Sequence, residues 1–206
     1  MSLRDRIFAA VYEPLSLRAE KTFGAELKSA LLADANGRVL EIGVGTGLSF
    51  VHYPEVDELV GVDPSEPMLR RARRRAENIG RDVTLVEAPA EALPFEDDSF
   101  DTLVTLAVLC TVDDPPSALA EMHRVLRPDG QFLFLEHVRS SNPKRARAQD
   151  RYERPWGWIS GGCHPNRPTL KAIETAGFEV TDLEESEIEH VPSLVRPHIT
   201  GTAVPR

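Results

Sequence analysis

Cysteine is scarce in this 206-residue chain, Cys110 and Cys163 being its only two. Two cysteines cannot frame a disulfide scaffold, and neither stands in a Cys-x-x-Cys pair, so free thiols in a reducing, cytoplasmic setting are expected. No run approaches the roughly 18 consecutive apolar residues of a membrane span. The first ten residues carry Arg4, Asp5 and Arg6 where an apolar leader would stand, so a soluble chain without a signal peptide is expected. Positive charge is also short: the formal net charge is −9, which excludes a general nucleic-acid binder, because that affinity rests on basic contacts to phosphates. Internal repeats and low-complexity tracts are missing. What remains, 41% hydrophobic over 206 residues, suits one compact domain over residues 1–206.

That domain is organised around Val39-Leu40-Glu41-Ile42-Gly43-Val44-Gly45-Thr46-Gly47-Leu48. An apolar strand ends there in an acid and breaks into glycines at alternate positions, as a strand does when it turns into a helix over a bound ligand. Glycine permits backbone conformations and close approaches that a Cβ forbids, and a following helix start offers free N–H groups. A dinucleotide loop, G-x-G-x-x-G, would place its third glycine at 48, but Leu48 stands there and Gly47 comes one residue early. A second apolar strand, Glu58 to Asp63, ends in an acid 22 residues after Glu41. That is close to the roughly 20-residue interval at which a second-strand carboxylate reaches a ribose hydroxyl.

The rest of the chain alternates strands and helices. Two amphipathic helices are expected within residues 1–33, broken at Pro14, and they serve either as plain packing on the sheet or as a lid over the ligand that includes Tyr12. Ser65 is the expected cap of a helix that carries Met68 near its start and arginines 70, 71, 73, 74 and 75 on a solvated face. Residues 82–87 read as a third strand and 97–106 as a buried fourth, followed by a helix through Leu126 that Asp114, Pro115 and Pro116 open. Arg127-Pro128-Asp129-Gly130 reads as a turn, and residues 131–138 as a fifth strand delivering Glu136 and His137 to the carboxyl edge of the sheet. Thr169 is the expected cap of a last helix, and residues 178–183 and 199–204 read as a closing antiparallel pair. The alternation predicts an α/β fold, a doubly wound, mostly parallel seven-stranded sheet with an antiparallel final strand.

Together, E-x-G-x-G-x-G at Glu41 to Gly47, Asp63, Ser99-Phe100-Asp101 and the Arg127 to Gly130 turn resemble the class I methyltransferases that use S-adenosylmethionine. A finer resemblance lies in Val108-Leu109-Cys110, Glu136-His137-Val138, Gly162-Cys163 with Arg167 and Thr169, and Val195 to Ile199 with Gly201. These look like the alkyl-thiol methyltransferases and their prokaryotic relatives, some of them labelled phospholipid N-methyltransferases. The resemblance implies that Glu41, Gly43, Gly45, Thr46, Gly47, Asp63, Pro64, Met68, Ala90, Glu91, Leu106 and Tyr12 bind the cofactor. Many relatives carry an Asp where this chain has Pro89; proline offers no such acceptor, which passes adenine recognition to the Ala90 backbone or to Glu91. Residues 139–167 correspond to a substrate-side insertion.

Methyl transfer from a sulfonium needs alignment and exclusion of water more than an acid–base triad. His137 is a candidate base, or a hydrogen-bonded structural histidine. Cys110 either lines the pocket or fills the core. Cys163, His164 and Arg167 are candidate pocket residues; with no second ligand pair beside Cys163 and His164, no metal is expected. The expected acceptor is a small or lipophilic molecule, sulfur ahead of nitrogen. The alternatives are N-methylation of a phospholipid headgroup, with the Arg- and Trp-bearing segment 144–158 as a peripheral membrane foot, and a cofactor-binding module without catalysis.

Overall fold

The computed structural model describes residues 25–189 and 191–206. Tyr12 and most of the segment 1–33, where two helices are expected, fall outside them; the described part of that segment forms α1 (Ala25–Leu32). After β1 (Arg38–Ile42) come β2 (Glu58–Asp63), α2 (Glu66–Ile79), β3 (Thr84–Glu87), β4 (Phe100–Leu106), α3 (Pro115–Val125) and β5 (Leu126–His137). Then follow α4 (Pro143–Ile159), α5 (Thr169–Thr175), β6 (Phe178–Glu187) and β7 (Pro197–Pro205). The seven strands form one sheet in the order β3-β2-β1-β4-β5-β7-β6. The first five run parallel, and β7 is antiparallel to both β5 and β6. This is the expected doubly wound sheet, with its order reversing beside β1.

Strand residues alternate between two cores because successive side chains point to opposite faces. Leu40, Ile42, Val60, Val62, Leu103, Phe132 and Phe134 pack against α3 and α5 through Leu119, Met122 and Ile173. Val39, Leu59, Val104, Leu133 and Leu135 face the other way, onto Leu31 and Leu32 of α1 and Leu69 and Ala72 of α2. Buried on both faces, the central strands carry no polar alternation, which is why they read as unbroken apolar runs. Along α2 the buried Met68, Leu69, Ala72 and Ala76 make one stripe, and Arg70, Arg73 and Arg74 are exposed. Among the described residues no helix is long and apolar enough to cross a membrane.

Several local expectations are corrected. Ser65 occupies the cap position of α2 but makes no side-chain cap; its N–H donates to Asp63 Oδ1 at 2.8 Å. Thr169 is the first residue of α5, whose cap position is Pro168. Residues 127–130 are not a free turn but the irregular start of β5, which pairs Leu126 with Phe100 before its register shifts. Segment 139–167 contains a helix, α4, started by Asn142, whose Oδ1 accepts the Lys144 N–H at 2.9 Å, and by Pro143.

Outside the site, Glu121 on α3 is an acid-sensitive tie. Its carboxylate accepts Arg124 Nε and Nη2, each at 2.7 Å, and the Leu93 N–H at 2.9 Å. The Arg124 bonds hold the carboxyl below a glutamate's ordinary 4.5, against burial. A depressed carboxyl stabilises the fold above its ordinary value, and that stabilisation is lost as pH falls through the folded one. The urea midpoint is therefore expected to decline on acidification below pH 4.5, and Glu121→Gln to flatten this part of the profile.

Candidate functional site

The site lies at the carboxyl edge of the parallel strands, where the sheet order reverses. Glu41, at the end of β1, is buried, and its carboxylate accepts the Ser49 hydroxyl at 2.7 Å and the Tyr53 hydroxyl at 2.9 Å. Burial, and then the Glu41 charge, raise the Tyr53 hydroxyl well above 10, which keeps it a donor. Glu41 thus ties down the segment after the glycine loop. Ser49 and Tyr53 were not anticipated from sequence; the available signal was two polar side chains within 12 residues of an acid in an otherwise apolar strand.

The loop itself turns on Gly43, Gly45 and Gly47, all at positive φ. A Cβ at Gly43 would lie 2.6 Å from Val108 and one at Gly47 2.4 Å from the Phe50 ring, whereas one at Gly45 would meet nothing within 4 Å. Gly45 therefore borders open space among the described residues. Next to it the Thr46 hydroxyl is buried without a hydrogen-bond partner among the described residues. Asp63, at the end of β2, accepts the Gly45 N–H on Oδ2 at 2.9 Å and the Ser65 N–H on Oδ1 at 2.8 Å. Burial pushes its carboxyl up, against those two donors. Pro64 is exposed beside it and Met68 is buried at the start of α2.

Ala90 is buried after β3, and Glu91 Oε1 accepts the N–H groups of Asp113 and Asp114 at 2.9 and 3.1 Å. Glu91 thus clips the loop beyond β3 to the segment beyond β4. That segment begins after the half-buried Leu106 with Ala107 at φ 59°, a conformation few non-glycine residues adopt. It is held by Glu136, whose Oε1 accepts the Val108 and Leu109 N–H groups at 3.0 and 3.1 Å. Glu136 is fully buried, and burial raises its carboxyl. Because Val108 abuts Gly43, this segment joins the glycine loop to the residues beyond.

Those residues converge from three elements. Cys110 Sγ lies 3.6 Å from His137 Nε2, and Cys163 Sγ lies 3.9 Å from both ring nitrogens of His137. Both thiols are free and buried. A hydrogen bond from Cys110, then the His137 ring, bring the Cys163 thiol down to about 4, while burial and the Cys163 charge push Cys110 up. Arg167 is half-buried nearby and donates to the Leu109 carbonyl at 2.6 Å. His164 stands apart: its N–H donates to the Cys110 carbonyl, but its ring pairs with Glu153 at 2.8 Å. The neighbours of Cys163 are therefore Cys110 and His137, not the adjacent His164. Arg167 and Leu109 also line a cavity of about 200 Å³, together with Pro115, Leu119, Thr169 and Ala172, among others.

Comparison with known proteins follows the same outline. Residues 40–134 match the methyltransferase domain family. A thiol S-methyltransferase of Rattus norvegicus is 35% identical over 206 residues, covering 98% of this chain and 84% of that protein. A phosphatidylethanolamine N-methyltransferase of Cereibacter sphaeroides is 39% identical over 129 residues, 60% of this chain and 64% of that protein. Among solved structures, a SAM-dependent methyltransferase of Thermotoga maritima, described as a possible histamine N-methyltransferase, superposes with a TM-score of 0.73 at 24% identity, covering 98% of this chain and 97% of that one. Glycine loop, strand-end acid, sheet order and relatives agree: the chain belongs to the class I methyltransferases, with S-adenosylmethionine as its methyl donor.

Proposed function

We propose that the acceptor is the thiol sulfur of a small lipophilic molecule. The observation that carries this is the extent of the rat relative's likeness, which runs over 98% of the chain and so includes residues 139–167, where the acceptor side is built. The phospholipid relative matches 60% of the chain. Site chemistry supports sulfur as well. A protonated amine must lose a proton before it attacks, yet both ring nitrogens of His137 lie at 3.6–3.9 Å from cysteine sulfurs, which leaves it poorly placed as a base. A thiol ionises near neutral pH, and the positive charge of Arg167 favours its thiolate.

S-Adenosylmethionine supplies a methyl group already activated on a sulfonium. The chain's part is to position and to desolvate. Asp63, Met68, Ala90 and the Gly43 to Gly47 loop hold the cofactor, Glu41 fixes that loop through Ser49 and Tyr53, and Glu136 fixes the segment that separates cofactor from acceptor. The cavity beside Arg167 receives the acceptor's apolar part. Free thiols at Cys110 and Cys163 favour a cytoplasmic location.

A second reading rests on α4, where Tyr152, Trp158 and Ile159 are 50%, 72% and 63% exposed on a helix rich in arginine. Such a helix suits a membrane surface and, with it, phospholipid headgroup methylation. Labelled cofactor tested against alkyl thiols, alkyl amines, phenols and phosphatidylethanolamine vesicles separates the two. Methyl incorporation is expected with thiols and to increase with chain length; label confined to the vesicles would favour the second reading, and no incorporation anywhere would favour a binding module.

A further inference from the structure

The group formed by Cys110, His137 and Cys163 lies beyond the residues assigned above to the cofactor, and its three ligand atoms are close enough together to share one metal ion. Its ligand atoms lie within 4.8 Å of one another. A tetrahedral zinc ion with sulfur at about 2.3 Å and nitrogen at about 2.0–2.1 Å sets its ligand atoms roughly 3.5–3.8 Å apart. The sulfur-to-nitrogen separations here are 3.6 Å for Cys110 and 3.9 Å for Cys163. Two sulfurs and one imidazole, with no carboxylate among them, are the donors that select zinc over magnesium or calcium. The surroundings are apolar: Val195, Val191 and Trp156 pack around the two cysteines. Cysteines that bind as thiolates in such a place are neutralised by the divalent cation they hold.

We propose that Cys110, Cys163 and His137 Nε2 bind one Zn²⁺ ion, leaving the fourth tetrahedral position to an outside ligand. Each cysteine that binds as thiolate exchanges its S–H bond for a Zn–S bond and releases its proton to solvent, and His137 binds through an unprotonated nitrogen. Three protein ligands with one open position is the pattern of catalytic rather than structural zinc. Resting on the thiol reading above, the open position is taken by the acceptor's sulfur, which exchanges its S–H bond for a Zn–S bond and releases its proton to solvent.

The test uses the full chain, reduced and freed of metal, titrated with Co²⁺ as an optical stand-in. One equivalent is expected to give sulfur-to-cobalt charge-transfer bands and the intense visible bands of a tetrahedral site, and Zn²⁺ to abolish them. Cys110→Ser and Cys163→Ser, each verified as folded by circular dichroism, are expected to weaken metal binding by about 100-fold or more. His164→Ala is expected to leave the bands intact. Adding an alkyl thiol is expected to shift the visible bands. Absence of sulfur-to-cobalt bands in protein whose two thiols titrate as free overturns the metal site, and thiol methylation measured in that protein would leave the acceptor reading standing. Full bands that no thiol perturbs overturn the open position. Full bands in a protein that methylates only amines overturn the acceptor reading and keep the metal site.

Discussion

Gly45→Ala is expected to weaken S-adenosylmethionine binding by about 100-fold or more while the protein stays folded. A Cβ at this position meets no atom of the described residues within 4 Å, so under the proposed cofactor placement it projects toward the cofactor rather than into the fold. The fold suffers only the left-handed backbone at φ +53, which costs an L-residue about 1–2 kcal/mol. For a chain of this size that is roughly 2–8 °C in Tm. Gly47→Ala behaves differently: its Cβ would stand 2.4 Å from the Phe50 ring, which is wholly buried, so affinity and stability fall together. Calorimetric titration and thermal unfolding on the two variants separate these effects. Normal cofactor affinity in Gly45→Ala would place the cofactor elsewhere.

Asp63→Ala is expected to lose about 100-fold in cofactor affinity, equivalent to about 2.7 kcal/mol. One carboxylate ties the glycine loop to the start of α2, through the Gly45 and Ser65 N–H groups, and its removal leaves two backbone donors without their acceptor. Asp63→Asn retains one acceptor oxygen but loses the charge, and is expected to fall between the parent and the alanine variant. Burial raises this carboxyl above an aspartate's ordinary 3.8. Cofactor affinity in the parent should accordingly decline on acidification from a higher pH than for an exposed aspartate, and that dependence should disappear in Asp63→Asn. An alanine variant that binds as tightly as the parent would leave Asp63 a purely local tie.

The glycine loop and Asp63 were legible in the sequence because backbone geometry forces them. Three positive-φ positions at alternate residues need three glycines at fixed spacing, and a parallel strand buried on both faces is written as an apolar run. The carboxyl edge beyond them was legible only in part. Cys110, His137 and Cys163 sit after β4, at the end of β5 and beyond α4, and no spacing rule links three elements that the topology alone brings together. Adjacency pointed to Cys163 with His164, whereas chain direction turns the His164 ring out to Glu153. At Arg127 to Gly130 the local Pro-Asp-Gly chemistry reads as a turn, but pairing of Leu126 with Phe100 draws the segment into β5. Glu41 carried the acid expected of it, yet its visible partners, Ser49 and Tyr53, depend on how the chain folds back after the loop.

Sulfur against nitrogen is decided most directly with one acceptor that carries both, an alkyl chain bearing a thiol and a primary amine. Incubated with the enzyme and methyl-¹³C-labelled S-adenosylmethionine, it should yield a product whose labelled carbon resonates as an S-methyl thioether, with the amine unmodified. Label found on nitrogen, with the thiol left free, would contradict a thiol methyltransferase.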